Sequence, residues 1–93
     1  MPKKYVEVGA VHRTDGQILP VLLWWEDGRS YQIDRVLDIR RAASLKAGGV
    51  GRRYTCRICG KERYLWLEDD GKWFVESKEE FARLMKRRED LHG

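Results

Sequence analysis

Two neighbouring segments combine arginine with aromatic side chains in a pattern that suits contact with single-stranded nucleic acid. Arg53 and Arg57 precede Tyr64 and Trp66 by about ten residues, so a tight chain reversal would bring the four side chains onto one surface. Guanidinium groups bind phosphates, and exposed rings stack on bases, each stack contributing roughly 1–3 kcal/mol. These residues therefore predict a non-catalytic surface for single-stranded DNA or RNA.

A predicted β-hairpin over residues 52–69 positions these side chains. We expect its two-residue turn at Gly60 and Lys61, which places Arg57 opposite Tyr64. Because side chains alternate along a strand, one face of the hairpin is then basic and aromatic, and the other is apolar. The apolar face consists of Tyr54, Cys56, Leu65 and Leu67.

Positive charge is concentrated in the middle of the chain. The formal net charge is +4, but residues 34–63 carry nine basic side chains against three acidic ones. A clustered excess indicates a polyanionic partner better than the total does, although a solvated surface that protects strand edges would give the same pattern. The predicted nucleic-acid-binding residues are Arg40, Arg41, Lys46, Arg53, Arg57, Arg63, Tyr64 and Trp66.

Two alternatives to nucleic-acid contact remain open for Tyr64 and Trp66. Exposed aromatic side chains anchor protein–protein interfaces, so a protein partner or a second copy of this chain would use the same surface. Alternatively, a C-terminal helix covers the two rings, with Phe81 and Leu84 packed on them. The exposure of the rings decides between these interpretations.

The motifs of common enzyme classes are missing from the chain. Neither a G-x-S-x-G nucleophile turn nor an H-E-x-x-H pair is present. The glycines at positions 48, 49 and 51 lack the spacing of a phosphate-binding loop, and no strong helix follows them. We therefore predict a protein that is not an enzyme and uses no cofactor.

Cys56 and Cys59 form a C-x2-C pair that resembles half of a zinc-ribbon knuckle. A structural zinc site needs four ligands, and the chain offers only His12 and His92 besides. Since the two thiols point to opposite faces of the predicted hairpin, we predict no metal site within one chain and leave open a zinc ion bridged between chains. Two cysteines so close together are no disulfide framework, which favours a reducing cytoplasm.

Short apolar runs separated by turn residues recur through residue 76. Their alternation and the Asp-Gly pairs predict five to six antiparallel strands over about residues 5–76. Ser77 and Glu80 form a capping box, which predicts a helix over about residues 78–91. We therefore expect one all-β domain over residues 1–93, a small antiparallel SH3-like or OB-like barrel with one C-terminal helix. The predicted core is Val6, Val8, Ile18, Leu22, Trp24, Ile33, Leu37, Tyr54, Cys56, Leu65, Leu67 and Val75.

Two segments depart from simple alternation. Arg35 interrupts an apolar strand face, which predicts a bulge or a salt bridge at that point. Within residues 40–51, Ala42, Ala43, Leu45 and Ala47 predict one helical turn, and the segment GGVG at residues 48–51 predicts a mobile connection.

The pattern as a whole resembles a group of small bacterial proteins of unknown function. The segments WEDGR at residues 25–29, IDRV at 33–36 and WFVE at 73–76 carry the resemblance, which spans most of the chain. It implies a bacterial, cytoplasmic protein and brings no functional residues. No apolar stretch approaches the roughly 20 residues of a membrane helix, so we predict no membrane partner.

Overall fold

Six strands form a closed antiparallel barrel in the computed structural model, which describes residues 3–45, 48–79 and 81–83. Each strand pairs with the next along the chain, and the last pairs with the first. This architecture confirms the predicted small all-β barrel. The strands are β1 (Lys4–His12), β2 (Ile18–Trp24), β3 (Ser30–Ala43), β4 (Val50–Ile58), β5 (Lys61–Glu68) and β6 (Trp73–Val75).

Asp-Gly turns close three of the hairpins, as the sequence predicts. In each turn the aspartate carboxylate accepts a hydrogen bond of 2.9–3.1 Å from the backbone N–H two residues further on, and the glycine has a positive φ. Aspartate favours this local hydrogen bond, and glycine takes the left-handed conformation without a steric penalty. The three pairs are Asp15-Gly16, Asp27-Gly28 and Asp70-Gly71.

The turn between β4 and β5 lies one residue earlier than predicted. Cys59 and Gly60 both have positive φ, 54° and 74°, and the strands pair from Ile58 and Lys61 onward. Two left-handed residues define a type I′ turn, whose twist matches that of the flanking strands. The prediction of a Gly60-Lys61 turn was therefore wrong.

The error changes the cross-strand partners but not the two faces of the hairpin. Arg53 lies opposite Trp66, and Thr55 opposite Tyr64. Moving the turn by one residue shifts each partner by two positions, and residues two apart point to the same side of a strand. The basic and aromatic side chains therefore share one face, as predicted.

The barrel interior holds one apolar cluster, in which Tyr54 is fully buried. Its hydroxyl donates a 2.6 Å hydrogen bond to the carbonyl oxygen of Ile18, so the polar end of this core side chain is satisfied. Val6, Val8 and Ile18 are partly buried against the cluster. The cluster consists of Leu23, Trp25, Ile33, Tyr54, Cys56, Ile58, Leu65, Leu67, Trp73, Val75 and Phe81.

The predicted inward face of β2 was wrong. Leu23 and Trp25 are buried in the interior, whereas Trp24 is 39% exposed and Leu22 is not in the core cluster. The pairing of β1 with β2 shifts beside Gly9, where the ring of Trp24 lies on the outer surface and would contact an added Cβ at 3.3 Å. Since the run is apolar on both faces, alternation alone does not identify the inner one.

Strand β3 contains the predicted irregularity at Arg35 and a second one. Its pairing with β4 shifts between Ile33 and Arg35 and again between Val36 and Asp38. Each shift resets the alternation of side chains. As a result Leu37, predicted as core, is 39% exposed, and Val36 packs against the core instead.

β3 continues through Ala43, so the predicted helical turn does not include Ala42 and Ala43. The Gly48 N–H donates a 2.8 Å hydrogen bond to the Ser44 carbonyl, which is the spacing of a single helical turn. Ala42 lies opposite Gly51, and a 2.7 Å backbone hydrogen bond from the Ser44 N–H to the Gly49 carbonyl closes the reversal. The strands meet closely at this end, because a Cβ at Gly51 would overlap the backbone carbonyl of Leu67.

The C-terminal helix is described only at its start. Residues 78–79 and 81–83 are helical, and the remainder of the predicted 78–91 helix lies outside the described residues. Phe81 stacks on Trp25 with ring centroids 5.0 Å apart and is part of the interior cluster. No helix in the described segments is long and apolar enough to span a membrane.

Candidate nucleic-acid interface

One row of side chains crosses five strands on the outer surface of the barrel. Arg40 of β3 lies opposite Arg53 of β4, Arg53 opposite Trp66 of β5, Trp66 opposite Phe74 of β6, and Phe74 opposite Tyr5 of β1. Directly opposed residues of antiparallel strands have Cβ atoms about 4.5–5.5 Å apart. The barrel therefore brings a basic end and an aromatic end together in one row.

Trp66 is buried on this outer surface, with only 2% of its surface exposed. Its ring stacks on the fully buried ring of Phe74, with centroids 5.6 Å apart and planes 10° from parallel. Gly49 adjoins Phe74 so closely that a Cβ there would lie 2.7 Å from the phenyl ring. The sequence left open whether Trp66 is buried; the structure shows that it is, with Phe74 as a stacking partner. Leu84, the other predicted cover besides Phe81, lies outside the described residues.

Tyr64, in contrast, is 46% exposed. The guanidinium carbon of Arg53 lies 4.4 Å from the centre of its ring, which is a cation–π contact. Within the described residues, no ion pair joins Arg53 to a carboxylate. A cation and an open ring therefore lie side by side on the predicted face, but the cation is Arg53 rather than Arg57, which lies opposite Glu62.

Both residues line a groove of about 530 Å³, which we call the Tyr64 groove. It lies beside β5 where β6 ends: β5 pairs with β6 only at Trp66 and Leu67. The volume is within the range of about 300–1,000 Å³ that is usual for ligand sites. Its lining residues are Ala43, Leu45, Arg53, Glu62, Arg63, Tyr64, Trp66, Val75, Glu76, Ser77 and Phe81.

Three hydrogen-bond donors on residues of the Tyr64 groove have no acceptor. They are Nε of Arg53, Nε of Arg63 and Nε1 of Trp66, and they are the only buried side-chain N or O atoms without a partner in the described part of the chain. Another donor of Arg63, Nη1, bonds to the backbone carbonyl of Glu62 at 2.5 Å. Buried donors are rarely left unsatisfied in native structures.

The groove also contains two carboxylates that the sequence analysis did not single out. Glu76 accepts a 2.5 Å hydrogen bond from the hydroxyl of Ser44, and Glu62 lines the opening beside Arg63. Only the observed end of β6 places Glu76 at this position, since no motif distinguishes it from other acidic residues. The groove therefore contains acceptors as well as donors.

The other predicted basic residues do not line the groove. Arg40 pairs with Asp38 at 2.8 Å, and Arg41 holds Asp69 through two hydrogen bonds of 3.0 and 2.9 Å. The Arg41 guanidinium lowers the pKa of the Asp69 carboxyl. These two arginines are thus neutralised locally.

Arg57 and Lys46 complete the predicted set. Arg57 is exposed on β4 between Arg35 and Glu62 of the neighbouring strands. It forms no ion pair with any residue of the described segments. Lys46 lies outside the described residues.

At the aromatic end of the row, a second polar cluster is fully paired. Lys3 Nζ lies 2.5 Å from a carboxylate oxygen of Glu68, and the hydroxyl of Tyr5 donates a 2.8 Å hydrogen bond to the other oxygen. The same ammonium lies 5.0 Å from the centre of the Phe74 ring. The hydrogen bonds from Lys3 and Tyr5 lower the pKa of Glu68.

The two cysteines differ in environment. Cys56 is fully buried in the barrel, and this burial raises the pKa of its thiol to about 12. Cys59 lies in the turn between β4 and β5 with a left-handed backbone. No group of three or more His, Cys, Asp or Glu side chains in the described ranges could hold a metal ion.

No protein-family model, curated protein or solved structure matches this chain. The chemistry of the Tyr64 groove is accordingly inferred from its own residues. That chemistry combines two arginines without carboxylate partners, one open ring and a buried indole N–H.

Proposed function

We propose that this protein is a non-catalytic module that binds single-stranded nucleic acid at the Tyr64 groove. The observation that carries the proposal is the position of the Arg53 guanidinium over the exposed ring of Tyr64. Arginine supplies a bidentate contact to phosphate, and the accessible side of the ring supplies a stacking surface for a base.

The distribution of ion pairs supports the same surface. Arg40 and Arg41 are held by Asp38 and Asp69, so their charge is largely neutralised. Arg53, Arg57 and Arg63 have no such partner in the segments that the structure describes. Positive charge therefore remains available on these three arginines of the β4–β5 hairpin.

The buried Trp66 has a positioning role in this proposal. It lies directly opposite Arg53 and is fixed by its stack on Phe74. Because its own ring faces are covered, a base stacks on Tyr64 rather than on Trp66. One stack per strand predicts modest affinity with little base preference.

The test is fluorescence anisotropy of a labelled oligonucleotide at low salt. We expect the double variant Arg53→Glu/Arg57→Glu to abolish binding with an unchanged circular dichroism spectrum. The control Arg13→Glu/Lys72→Glu changes the net charge equally at two exposed turns and should bind almost normally.

Salt dependence gives an independent measure of the contact. Each phosphate neutralised on a single strand contributes about −0.7 to the slope of log K against log salt concentration. Three unpaired arginines therefore predict a slope of about −2. Unchanged anisotropy of every oligonucleotide at low salt would contradict the proposal.

One observation favours a second function, strand addition by a protein partner or a second copy of the chain. β6 pairs with β5 only at Trp66 and Leu67, so residues 61–65 of β5 border the groove without a β6 partner. Such an edge accepts an extended segment through backbone hydrogen bonds. This function predicts a concentration-dependent sedimentation coefficient, which a Tyr64→Pro substitution removes because proline lacks the backbone N–H. A sedimentation profile of a monomer at all concentrations, together with a pull-down that recovers no partner, would contradict this function.

A further inference from the structure

The three unsatisfied donors of the described segments all belong to residues that line the Tyr64 groove: Arg53, Arg63 and Trp66. Leaving a buried donor without an acceptor is unfavourable. Their concentration in one cavity points to a ligand that supplies several acceptor oxygens. All three are N–H groups, so the complementary group is rich in acceptors and need not donate.

We infer that the Tyr64 groove recognises the phosphate monoester at the end of a nucleic-acid strand, an inference that rests on the proposed function. The terminal phosphate lies against Arg53, Arg63 and the indole N–H of Trp66. The adjoining base stacks on the ring of Tyr64. A nucleoside monophosphate contains both parts and is the smallest ligand of this kind.

The number of terminal oxygens distinguishes a terminal phosphate from an internal one. A phosphate monoester presents three terminal oxygens, whereas an internal diester presents two. The groove residues supply three unsatisfied donors, which the three oxygens of the monoester match.

The two carboxylates of the groove favour one phosphate over a continuous run. Glu62 and Glu76 line the same cavity and repel any phosphate that approaches them. Glu76 remains an acceptor for Ser44, so it is held in place. A strand that ends in the groove brings one phosphate near these carboxylates, whereas a strand that passes through it brings several.

Packing fixes two of the three donors beside the ring. Arg53 and Trp66 are directly opposed on β4 and β5, Trp66 is held by Phe74, and Arg53 contacts the ring of Tyr64. Arg63 precedes Tyr64 in β5 and lies opposite Cys56 of β4, so it leaves the strand on the other face and lines the groove where β5 has no β6 partner. The donors are thus carried by paired strands rather than by a loop, as a specific site requires.

The experiment compares strands of one sequence that differ only at their ends. Oligonucleotides with a 5′-phosphate, a 3′-phosphate or two hydroxyl ends compete for the protein in a phosphate-free buffer, beside a nucleoside monophosphate, its nucleoside and inorganic phosphate. We expect one phosphorylated end to bind about tenfold more tightly than the hydroxyl-ended strand, as for a hydrogen-bonded charged group. The monophosphate should compete and the nucleoside should not.

Two variants test whether the unsatisfied donors cause the gain in affinity that a terminal phosphate brings, which we call the phosphate-dependent increment. Trp66→Phe retains an aromatic ring but removes the indole N–H, and Arg63→Lys retains the charge but removes Nε–H. Both should reduce the ratio of affinities for the phosphorylated and the hydroxyl-ended strand by about fivefold or more. Because this ratio is taken within one variant, a general loss of strand binding does not change it. Trp24→Phe, at a half-exposed tryptophan outside the groove, is the matched control.

Each outcome separates this inference from the proposed function. Equal affinity for phosphorylated and hydroxyl-ended strands overturns the terminal-phosphate site but leaves nucleic-acid binding intact. Competition by inorganic phosphate without affinity for any strand overturns nucleic-acid binding and the strand end as the ligand. If Trp66→Phe does not fold, Arg63→Lys alone decides, because an unchanged increment in that variant contradicts the assignment.

Discussion

Cation–ring contacts lie in two regions of the outer surface of the barrel, and the two regions differ in the pairing of the cation. At one, Lys3 lies over Phe74 and Tyr5 and is also paired with the carboxylate of Glu68. At the other, Arg53 lies over Tyr64, and no carboxylate of the described chain pairs with it. We call the first the Lys3–Glu68 cluster and compare it with the Tyr64 groove.

The comparison shows how similar side chains serve different purposes. In the Lys3–Glu68 cluster, the carboxylate accepts hydrogen bonds from both Lys3 and Tyr5, so little capacity remains for a ligand. In the Tyr64 groove, three donors have no acceptor. The paired Lys3–Glu68 cluster therefore contributes to stability, whereas the Tyr64 groove is the surface that we propose for binding.

The largest effect is expected at Gly51, which supports both regions. It lies opposite Glu68 and two residues before Arg53, and a Cβ there would overlap the carbonyl of Leu67. We expect Gly51→Ala to reduce the free energy of unfolding by about 2–3 kcal/mol, measured by urea denaturation. Val50→Ala, at a half-exposed neighbour, should change it by less than about 1 kcal/mol. Equal stability of the two variants would show that the strands separate readily here.

The next effect distinguishes the two tyrosines. Tyr64→Ala removes the stacking ring and should weaken oligonucleotide binding by about 1–3 kcal/mol, with little change in melting temperature. Tyr5→Ala removes the hydrogen bond to Glu68 and an edge contact with Phe74 at 6.3 Å. It should lower the melting temperature and leave binding unchanged. The opposite pattern would reverse the assignment of the two regions.

The smallest effect is expected in the stability of the fold at acidic pH. Lys3 and Tyr5 hold the pKa of Glu68 below its usual range, so the ionised carboxylate stabilises the fold above its unfolded-state pKa. That contribution is lost as the pH falls through the lowered folded-state value. Wild-type stability should therefore decrease more steeply than that of Glu68→Gln below the ordinary glutamate range. Urea titrations from neutral pH to about pH 3 measure this, with Glu7→Gln as an exposed control; parallel curves for all three proteins would contradict it.

The fold was predictable because, along most of the chain, the turn residues and the alternation of apolar with polar residues indicate the same strands. The Asp-Gly pairs identify three hairpins, and the faces of the β4–β5 hairpin are correct although its turn is Cys59-Gly60. The error leaves the two faces of the hairpin unchanged because each cross-strand partner moves by two positions. The partners themselves depended on a left-handed Cys59, which sequence alone rarely indicates.

The candidate site was less predictable because its assembly depends on distant contacts. Trp66 and Tyr64 occupy the same face of β5, yet Phe74 of β6 covers only the former. The unsatisfied donors and the carboxylate of Glu76 meet only where β6 ends. In β2, an apolar run on both faces concealed which side faces the interior, and the bulges of β3 moved Leu37 outward.

The turn at Cys59 and Gly60 provides a site for a spectroscopic probe. A maleimide dye should attach to this partly exposed sulfur and spare Cys56, which is enclosed and protonated at neutral pH. The label would lie at the tip of the hairpin that carries Arg57 and Tyr64, where an arriving strand changes its emission. Thus the one non-glycine residue of the described chain with a left-handed backbone would allow binding to be followed in solution without an engineered cysteine.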